Sequence, residues 1–269
     1  MGNGIAHVAS LSGFDVILTD LNKSFLDKGL FNIKKNMQRQ VDKEKIAQLD
    51  LENSLQRITT SVDMNLLESC DLIIEAATEN PEIKKSIFKS VNAICNNNAV
   101  LATNTSSISI DLLSDCCNNP DKMIGMHFMN PVPIMKLVEV IIGKYTSDET
   151  QKIVIEVAKK MNKIPVICND SPGFVANRIL IPMINEAVFT FEEGVATAEA
   201  IDQIMTLGMN HPMGPLKLAD LIGIDVVLYI CEILHADFKD DKYKPSQLLK
   251  DMVEKGYLGV KSGQGFYKY

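Results

Sequence analysis

Asp71-Leu-Ile-Ile-Glu-Ala-Ala77 is a short apolar segment that ends in small residues, and Ala99-Val-Leu-Ala-Thr103 is a second one. Between them, Asn80 and Pro81 open a stretch in which apolar residues recur on one helical face. Asparagine is a common N-cap and proline is favoured at the first helical position, so this stretch predicts a helix. The order strand, helix, strand predicts a parallel, doubly wound α/β sheet with helices against it.

The same alternation extends in both directions along the chain. Residues 2–11 have helical periodicity, and Asp15-Val-Ile-Leu-Thr-Asp20 follows as a short buried strand. Towards the C-terminus, residues 122–128 and 136–142 predict two strands joined by a proline-rich turn, and residues 164–168 predict one more strand.

Strand signals end after Asp170-Ser-Pro-Gly173, and the remainder predicts helices only. We therefore expect a domain boundary near residue 170, with an α/β domain at 1–170 and an all-helical domain at 171–269. The predicted helices of the second domain cover residues 173–193, 197–207, 214–235 and 245–255.

Composition excludes several classes of protein. The chain has 269 residues, of which 46% are apolar, and no apolar run long enough to span a bilayer. A net charge of -7 argues against binding to nucleic acid, and the N-terminus has no secretory pattern. Six cysteines without a C-x-x-C pair predict reduced thiols in a cytoplasmic protein, and four histidines show no metal-ligand spacing.

The N-terminus carries part of a nucleotide-binding pattern. Gly2 and Gly4 open the first helix, and the strand after that helix ends in Asp20. A dinucleotide site needs glycines where the backbone approaches the pyrophosphate, and an acid about 20 residues later for the ribose hydroxyls. This predicts a Rossmann-type domain that prefers NAD, because the Asp20 carboxylate would repel the 2′-phosphate of NADP. The alternative is that Asp20 caps the next helix.

One histidine and one glutamate stand out in the two strands around Pro133. His127 and Glu139 each lie in an apolar segment, and they are symmetric about the proline. An antiparallel pair folded there would place their side chains side by side. A histidine oriented by a buried carboxylate is a general acid/base pair. A purely structural pair that holds the hairpin explains the pattern equally well.

Small polar residues mark two further positions. Ser106 follows the strand at 99–103, at the sheet edge where ligands bind in doubly wound folds. Asn177 lies inside a predicted helix, although asparagine is a poor helix former, which suggests a packing or ligand role. The alternatives are an N-cap in the segment 104–107 and an interdomain hydrogen bond for Asn177.

The motifs together resemble the L-3-hydroxyacyl-CoA dehydrogenase family. The resemblance runs essentially from end to end, in the family's order and spacing. Because the chain has no hydratase domain, its length is similar to that of the small family members that act on 3-hydroxybutyryl-CoA. The motifs that carry it are N-T-S-S at 104–107, H-F-M-N-P-V-P at 127–133, K-L-V-E-V at 136–140, S-P-G-F-V-A-N-R at 171–178, N-H-P-M-G-P at 210–215 and K-S-G-Q-G-F-Y at 261–267.

The resemblance implies a role for each matching residue. It implies an NAD-dependent enzyme in which His127 removes the proton of the substrate 3-hydroxyl while Glu139 orients it. Ser106 and Asn177 would hydrogen-bond the reacting oxygen and bound groups. The implied cofactor contacts, beyond Gly2, Gly4 and Asp20, are Glu79, Lys84, Ser106, Asn130 and Lys261. The helical domain is implied to form a homodimer and to close over an acyl-CoA substrate, in fatty-acid or butanoate metabolism.

The sequence departs from the family pattern at its start. The family begins with a strand and a loop like V-I-G-A-G-T-M-G-x-G-I-A, of which only M-G-N-G-I-A is present at 1–6. The first strand and the first two glycines are absent, and Gly2 corresponds to the last glycine of the loop. We expect Met1 to be an internal methionine of that loop, with about a dozen residues encoded upstream, and removal of the central strand to leave a slot between its neighbours.

Three other functions compete with this interpretation. A 6-phosphogluconate-type dehydrogenase needs a lysine four residues before Asn177, but Gly173 is there. An L-gulonate dehydrogenase-like enzyme shares the fold, although its histidine motif differs. A non-catalytic protein or impaired fragment that has lost its cofactor site is the third alternative, and NADH binding distinguishes it from an enzyme.

Overall fold

The computed structural model describes residues 1–269. The chain divides into two compact units, Met1–Asp170 and Ser171–Tyr269, here called unit 1 and unit 2. No helix in either unit combines the length and the apolar character needed to span a bilayer.

Unit 1 contains seven strands and six helices. The strands are β1 (Val16–Thr19), β2 (Ile58–Ser61), β3 (Leu72–Glu75), β4 (Val100–Thr103), β5 (Met123–Phe128), β6 (Leu137–Ile142) and β7 (Ile164–Asn169). The helices are α1 (Gly2–Leu11), α2 (Lys23–Asp42), α3 (Gln48–Gln56), α4 (Pro81–Asn92), α5 (Ile110–Ser114) and α6 (Asp148–Lys160).

The strands of unit 1 form two sheets. β1 and β2 pair in parallel, and the other five pair in the order β3-β4-β5-β6-β7, with only β5 and β6 antiparallel. The predicted Rossmann-type class is confirmed, and β1 and β2 are separate from the other five strands. The reason is that α1 begins at Gly2, and no strand in residues 1–269 joins β1 to the five-stranded sheet. This division is what the expected loss of the central strand predicts.

Two apolar cores hold unit 1 together. The main core packs α1 and α6 on the five-stranded sheet, and its buried residues include Ile5, Met126 and Val154. A second core lies among α1, α2, α3 and β2, and is built around Ile33 and Met37. The sequence pattern does not predict α2, α3, β2 or α6. In α2 the buried residues are only Leu26, Ile33 and Met37 among many charged ones, so its apolar face is narrow.

Unit 2 is entirely helical, which confirms the prediction for the second half. Its helices are α7 (Ala176–Glu192), α8 (Ala198–Gly208), α9 (Pro215–Ile222), α10 (Ile224–Phe238) and α11 (Gln247–Glu254). The single helix expected at 214–235 is wrong, because α9 and α10 are separated at Gly223. Gly223 has a φ of 107°, a conformation that breaks a helix and that side chains rarely adopt.

Candidate active site

His127 and Glu139 form a buried pair at the centre of the β5–β6 hairpin. They are directly opposite each other in the antiparallel register, as their symmetry about Pro133 predicted. Glu139 Oε2 lies 2.8 Å from His127 Nδ1. His127 is 8% exposed and Glu139 is 4% exposed. The hairpin thus brings an imidazole and a carboxylate together away from bulk water.

The pairing determines which ring nitrogen of His127 can act as a base. An ionised carboxylate only accepts hydrogen bonds, so the proton shared with Glu139 belongs to Nδ1. Nε2 then carries the lone pair. The carboxylate also stabilises the imidazolium that forms when Nε2 takes up a proton. This arrangement can move one proton to or from a ligand oxygen.

The loop after β4 converges on Glu79. Its Oε1 is within hydrogen-bond distance of five donors in residues 105–107. The shortest contact is from Thr105 Oγ1 at 2.6 Å, and the longest is from Ser106 Oγ at 3.2 Å. Burial would raise the pKa of Glu79, but the hydrogen bond from Thr105 and the charge of Lys84 outweigh it, and the pKa is lowered. The loop therefore surrounds a carboxylate that stays charged.

Ser106 is not the N-cap that was weighed as an alternative. The N-cap of α5 is Ser109, whose hydroxyl accepts a hydrogen bond from the Leu112 amide. The neighbouring Asn104 accepts a hydrogen bond from the Phe128 amide at 2.9 Å. Since Phe128 follows His127 directly, this bond holds the loop of Ser106 beside the strand that carries His127.

Lys84 is buried behind this loop. Its ammonium nitrogen lies 2.8 Å from both carboxylate oxygens of Glu75 and 3.6 Å from Glu79 Oε2, and Lys84 is 1% exposed. The ammonium group of Lys84 is therefore held by two carboxylates. The cofactor contact expected of Lys84 stays a prediction, and the structure shows Lys84 paired with Glu75 and close to Glu79.

The residues expected to hold NAD lie at several points of unit 1. Gly2 begins α1, and a side chain there would meet Ala76, just past the end of β3, at 3.8 Å. Gly4 packs closely on the loop after β5, where an added Cβ would lie 3.0 Å from Val132. Asn130 is an exposed residue of that loop and lines a cavity of about 110 Å³ that Gly4 also lines.

Asp20 is exposed and directly follows β1. The alternative that it caps α2 is wrong, because Asn22 is the N-cap and accepts a hydrogen bond from the Phe25 amide. The N-terminus of α1 lies beside the end of β3, and the Asp20 carboxylate after β1 accepts a hydrogen bond only from the adjacent Leu21 amide. These two features fit the pyrophosphate and the ribose of a dinucleotide.

Two expected site residues belong to unit 2. Asn177 lies in the first turn of α7, where the sequence placed it in a helix. Lys261 lies in a short 3-10 turn near the C-terminus, and its ammonium group pairs with the carboxylate of Asp225.

Sequence reasoning missed two polar groups of unit 1. Glu75 is buried at the end of β3, and an acid closing the apolar run L-I-I-E was the available signal. His7 is 1% exposed and lines the cavity beside Gly4; its Nδ1 has no hydrogen-bond partner. Only the fold reveals that this helical histidine faces inward.

Fold and site together define an NAD-dependent oxidoreductase with a separate helical domain. The NAD-binding domain of 3-hydroxyacyl-CoA dehydrogenase matches residues 1–171, and the C-terminal domain of 3-hydroxyacyl-CoA dehydrogenase matches residues 173–269. The chain belongs to the 3-hydroxyacyl-CoA dehydrogenase family.

Individual relatives match along the whole chain. The chain is 54% identical to the probable 3-hydroxybutyryl-CoA dehydrogenase of Deinococcus radiodurans, over 100% of the chain and 96% of that protein. It is 47% identical to the 3-hydroxybutyryl-CoA dehydrogenase of Bradyrhizobium diazoefficiens, over 100% and 92%. The crystal structure of (S)-3-hydroxybutyryl-CoA dehydrogenase from Ralstonia eutropha is similar with a TM-score of 0.97 and 46% identity, over 100% and 95%.

Proposed function

We propose that the chain oxidises the 3-hydroxyl of a short-chain (S)-3-hydroxyacyl-CoA with NAD and catalyses the reverse reduction of the 3-ketoacyl-CoA. The preferred pair is 3-hydroxybutyryl-CoA and acetoacetyl-CoA, in fatty-acid or butanoate metabolism. The observation that carries the proposal is the buried His127–Glu139 pair, in which a carboxylate orients an imidazole. The names of the full-length relatives support the substrate.

In this proposal the protein moves the proton and the cofactor moves the hydride. When bound, NAD accepts the hydride from carbon 3, or returns it in the reverse direction. His127 Nε2 removes the 3-hydroxyl proton as the carbonyl forms, and Glu139 stabilises the resulting imidazolium. In the reverse direction His127 returns that proton to the ketone oxygen.

Ser106 and Asn177 would orient the bound groups. A carboxylate oxygen has two lone pairs, so the five donors around Glu79 Oε1 cannot all hold it equally well. The Ser106 hydroxyl has the longest of these contacts. It can therefore turn to a ligand oxygen while the backbone amides of the loop keep their bonds. The role of Asn177 rests on the family motif at 171–178.

The cofactor residues are proposed in two groups. Gly2 and Asp20 would bind the pyrophosphate and the ribose, and Glu79 and Asn130 would lie near the nicotinamide. Gly4 acts by packing, since a side chain there would press on Val132. For Lys261 the family motif at 261–267 supports a cofactor contact.

The test is oxidation of NADH by the purified chain with 3-ketoacyl-CoA substrates of increasing length. We expect the highest kcat/KM for acetoacetyl-CoA, a lower value for longer chains, and none for L-gulonate with NAD. Turnover of L-gulonate in place of acyl-CoA would support the gulonate-type alternative. NADH binding without turnover of any of these substrates would contradict the proposed function.

Assembly and location extend the proposal. Unit 2 exposes large apolar residues whose burial against a second copy would be favourable, and we propose a homodimer through this unit. These residues include Ile179, Ile204, Leu207, Met209 and Leu221. The cysteine pattern of the sequence supports a cytoplasmic location.

A further inference from the structure

We infer that Glu75 is a positioning residue that keeps Glu79 attached to the loop 104–107 by acting as the counterion of Lys84. This inference rests on the proposed function, in which Ser106 of that loop contacts bound groups. Glu75 itself is buried, with 5% of its surface exposed.

The hydrogen bonds of Glu75 show how firmly it is held. Its carboxylate accepts both contacts from Lys84 at 2.8 Å, one from the Thr103 hydroxyl at 2.7 Å and one from the Ala77 amide at 2.6 Å. Glu75 and Thr103 are also register partners at the ends of β3 and β4. The carboxylate therefore ties the carboxyl ends of two strands to the buried lysine of α4.

Two carboxylates share the single ammonium group of Lys84, and they do so unequally. Glu75 holds it at 2.8 Å, whereas Glu79 is 3.6 Å away. A buried ammonium group must keep a counterion, because an unpaired charge is costly away from water. While Glu75 supplies that charge, Glu79 can direct its other oxygen to the loop.

Neutralising Glu75 changes this balance. Glu79 is the other carboxylate within 4 Å of the Lys84 ammonium, so the ammonium would draw it inward. The amides of Ser106 and Ser107, now bonded to Glu79 at 2.8 and 2.9 Å, would lose their acceptor. The loop would open, and Ser106 would no longer be presented beside the His127 strand.

The first experiment measures hydrogen exchange of the backbone amides in residues 104–108 of the full chain without ligand. We expect Glu75→Gln, which keeps the size and an acceptor oxygen but removes the charge, to speed exchange at Ser106 and Ser107 at least ten-fold. The matched control is Glu82→Gln. Glu82 pairs with Lys85 on the exposed face of α4, the helix that also carries Lys84. The control should leave the exchange of this segment unchanged.

A double-mutant cycle tests whether Glu75 acts through Glu79. Glu79→Gln alone should also speed exchange, and in the Glu79→Gln background the further change Glu75→Gln should add little. The NADH dissociation constant should rise in each single variant. In the double variant the increase should be smaller than the product of the two single fold-increases. Additive effects, or normal protection in Glu75→Gln, would overturn the inference.

A second variant covers the case in which Glu75→Gln does not fold. Glu75→Gln combined with Lys84→Met removes both charges and leaves Glu79 without a competing cation. Protection of residues 104–108 should then return to that of the unchanged chain, and an unprotected loop would count against the inference. The exchange readout needs no substrate, so failure to reduce acetoacetyl-CoA would defeat the proposed function alone.

Discussion

His127 and Glu139 are directly opposed residues of one antiparallel hairpin, joined between Nδ1 and Oε2 at 2.8 Å. In such a register the side chains of opposed residues lie on the same face of the sheet. The hairpin therefore holds the imidazole at a fixed orientation without help from a flexible loop. A base held in this way needs little reorganisation when a proton arrives.

Replacing His127 by glutamine should lower kcat for acetoacetyl-CoA reduction by about 10²–10⁴-fold, the usual effect of losing a general acid or base. NADH affinity should change little, because the imidazole acts on the substrate oxygen. Glu139→Gln should cost less than His127→Gln, because the base remains. Steady-state kinetics and NADH titration measure both quantities.

The control for this substitution is His235→Gln. His235 also pairs with an acid, Asp241, but this pair is exposed and lies in unit 2. Its replacement should leave kcat within about two-fold, as is usual for surface changes. A His127→Gln variant with more than about a tenth of the original turnover would contradict the role given to His127.

Asp20 should select NADH over NADPH. Asp20→Ala removes the charge that repels a 2′-phosphate, so the preference for NADH in kcat/KM should narrow by at least about ten-fold. Asp27→Ala on α2 is a control that removes an exposed carboxylate away from the strand end. Equal use of both cofactors by the unchanged chain would show that Asp20 has no such role.

Gly125 should be intolerant of a side chain. An added Cβ would lie 2.7 Å from Ile141 on the partner strand and 3.0 Å from Ile110. Overpacking of this kind costs about 1–3 kcal/mol, so Gly125→Ala should lower the unfolding midpoint in urea. Gly208→Ala is the control, since nothing lies within 4 Å of its Cβ position. An unchanged unfolding midpoint for Gly125→Ala would mean that the hairpin shifts enough to accommodate the added methyl group.

The stability that Glu79 provides should depend on pH. Its pKa is lowered in the folded chain, so the carboxylate stabilises the fold above the unfolded value of about 4.5, and this contribution is lost as the pH falls through the folded pKa. Glu79→Gln should therefore cost about 1–3 kcal/mol at pH 7 and progressively less below pH 4.5. Urea unfolding of the unchanged chain and of Glu79→Gln at pH 7 and at pH 4 gives the difference in their free energies of unfolding. A difference that is larger at pH 4 than at pH 7 would contradict this prediction.

Unit 2 should hold two chains together. Light scattering at micromolar concentration should give twice the mass of the chain, 29.8 kDa. Leu207→Glu places a charge at a residue that is 85% exposed at the end of α8, and should weaken the dimer if α8 lies in the interface. A monomer at this concentration would rule out the proposed assembly.

The sequence by itself determined the class of fold and the pairing of His127 with Glu139. Apolar runs of four to six residues, separated by a capped helix at Asn80 and Pro81, are local signals that tertiary context did not change. The symmetry of His127 and Glu139 about Pro133 is also local, because a hairpin converts sequence distance directly into register. These features could be predicted from the apolar periodicity of the chain and the position of one turn.

Only the tertiary structure decided which hydrogen bonds and ion pairs the buried polar side chains form. The spacing of Glu75, Glu79 and Lys84 does not predict which carboxylate forms the shorter ion pair with the lysine. That choice depends on how β3, β4 and α4 pack together. The same holds for the buried, inward orientation of His7. Burial and hydrogen-bond choice arise from contacts between residues distant in sequence, and periodicity carries no information about them.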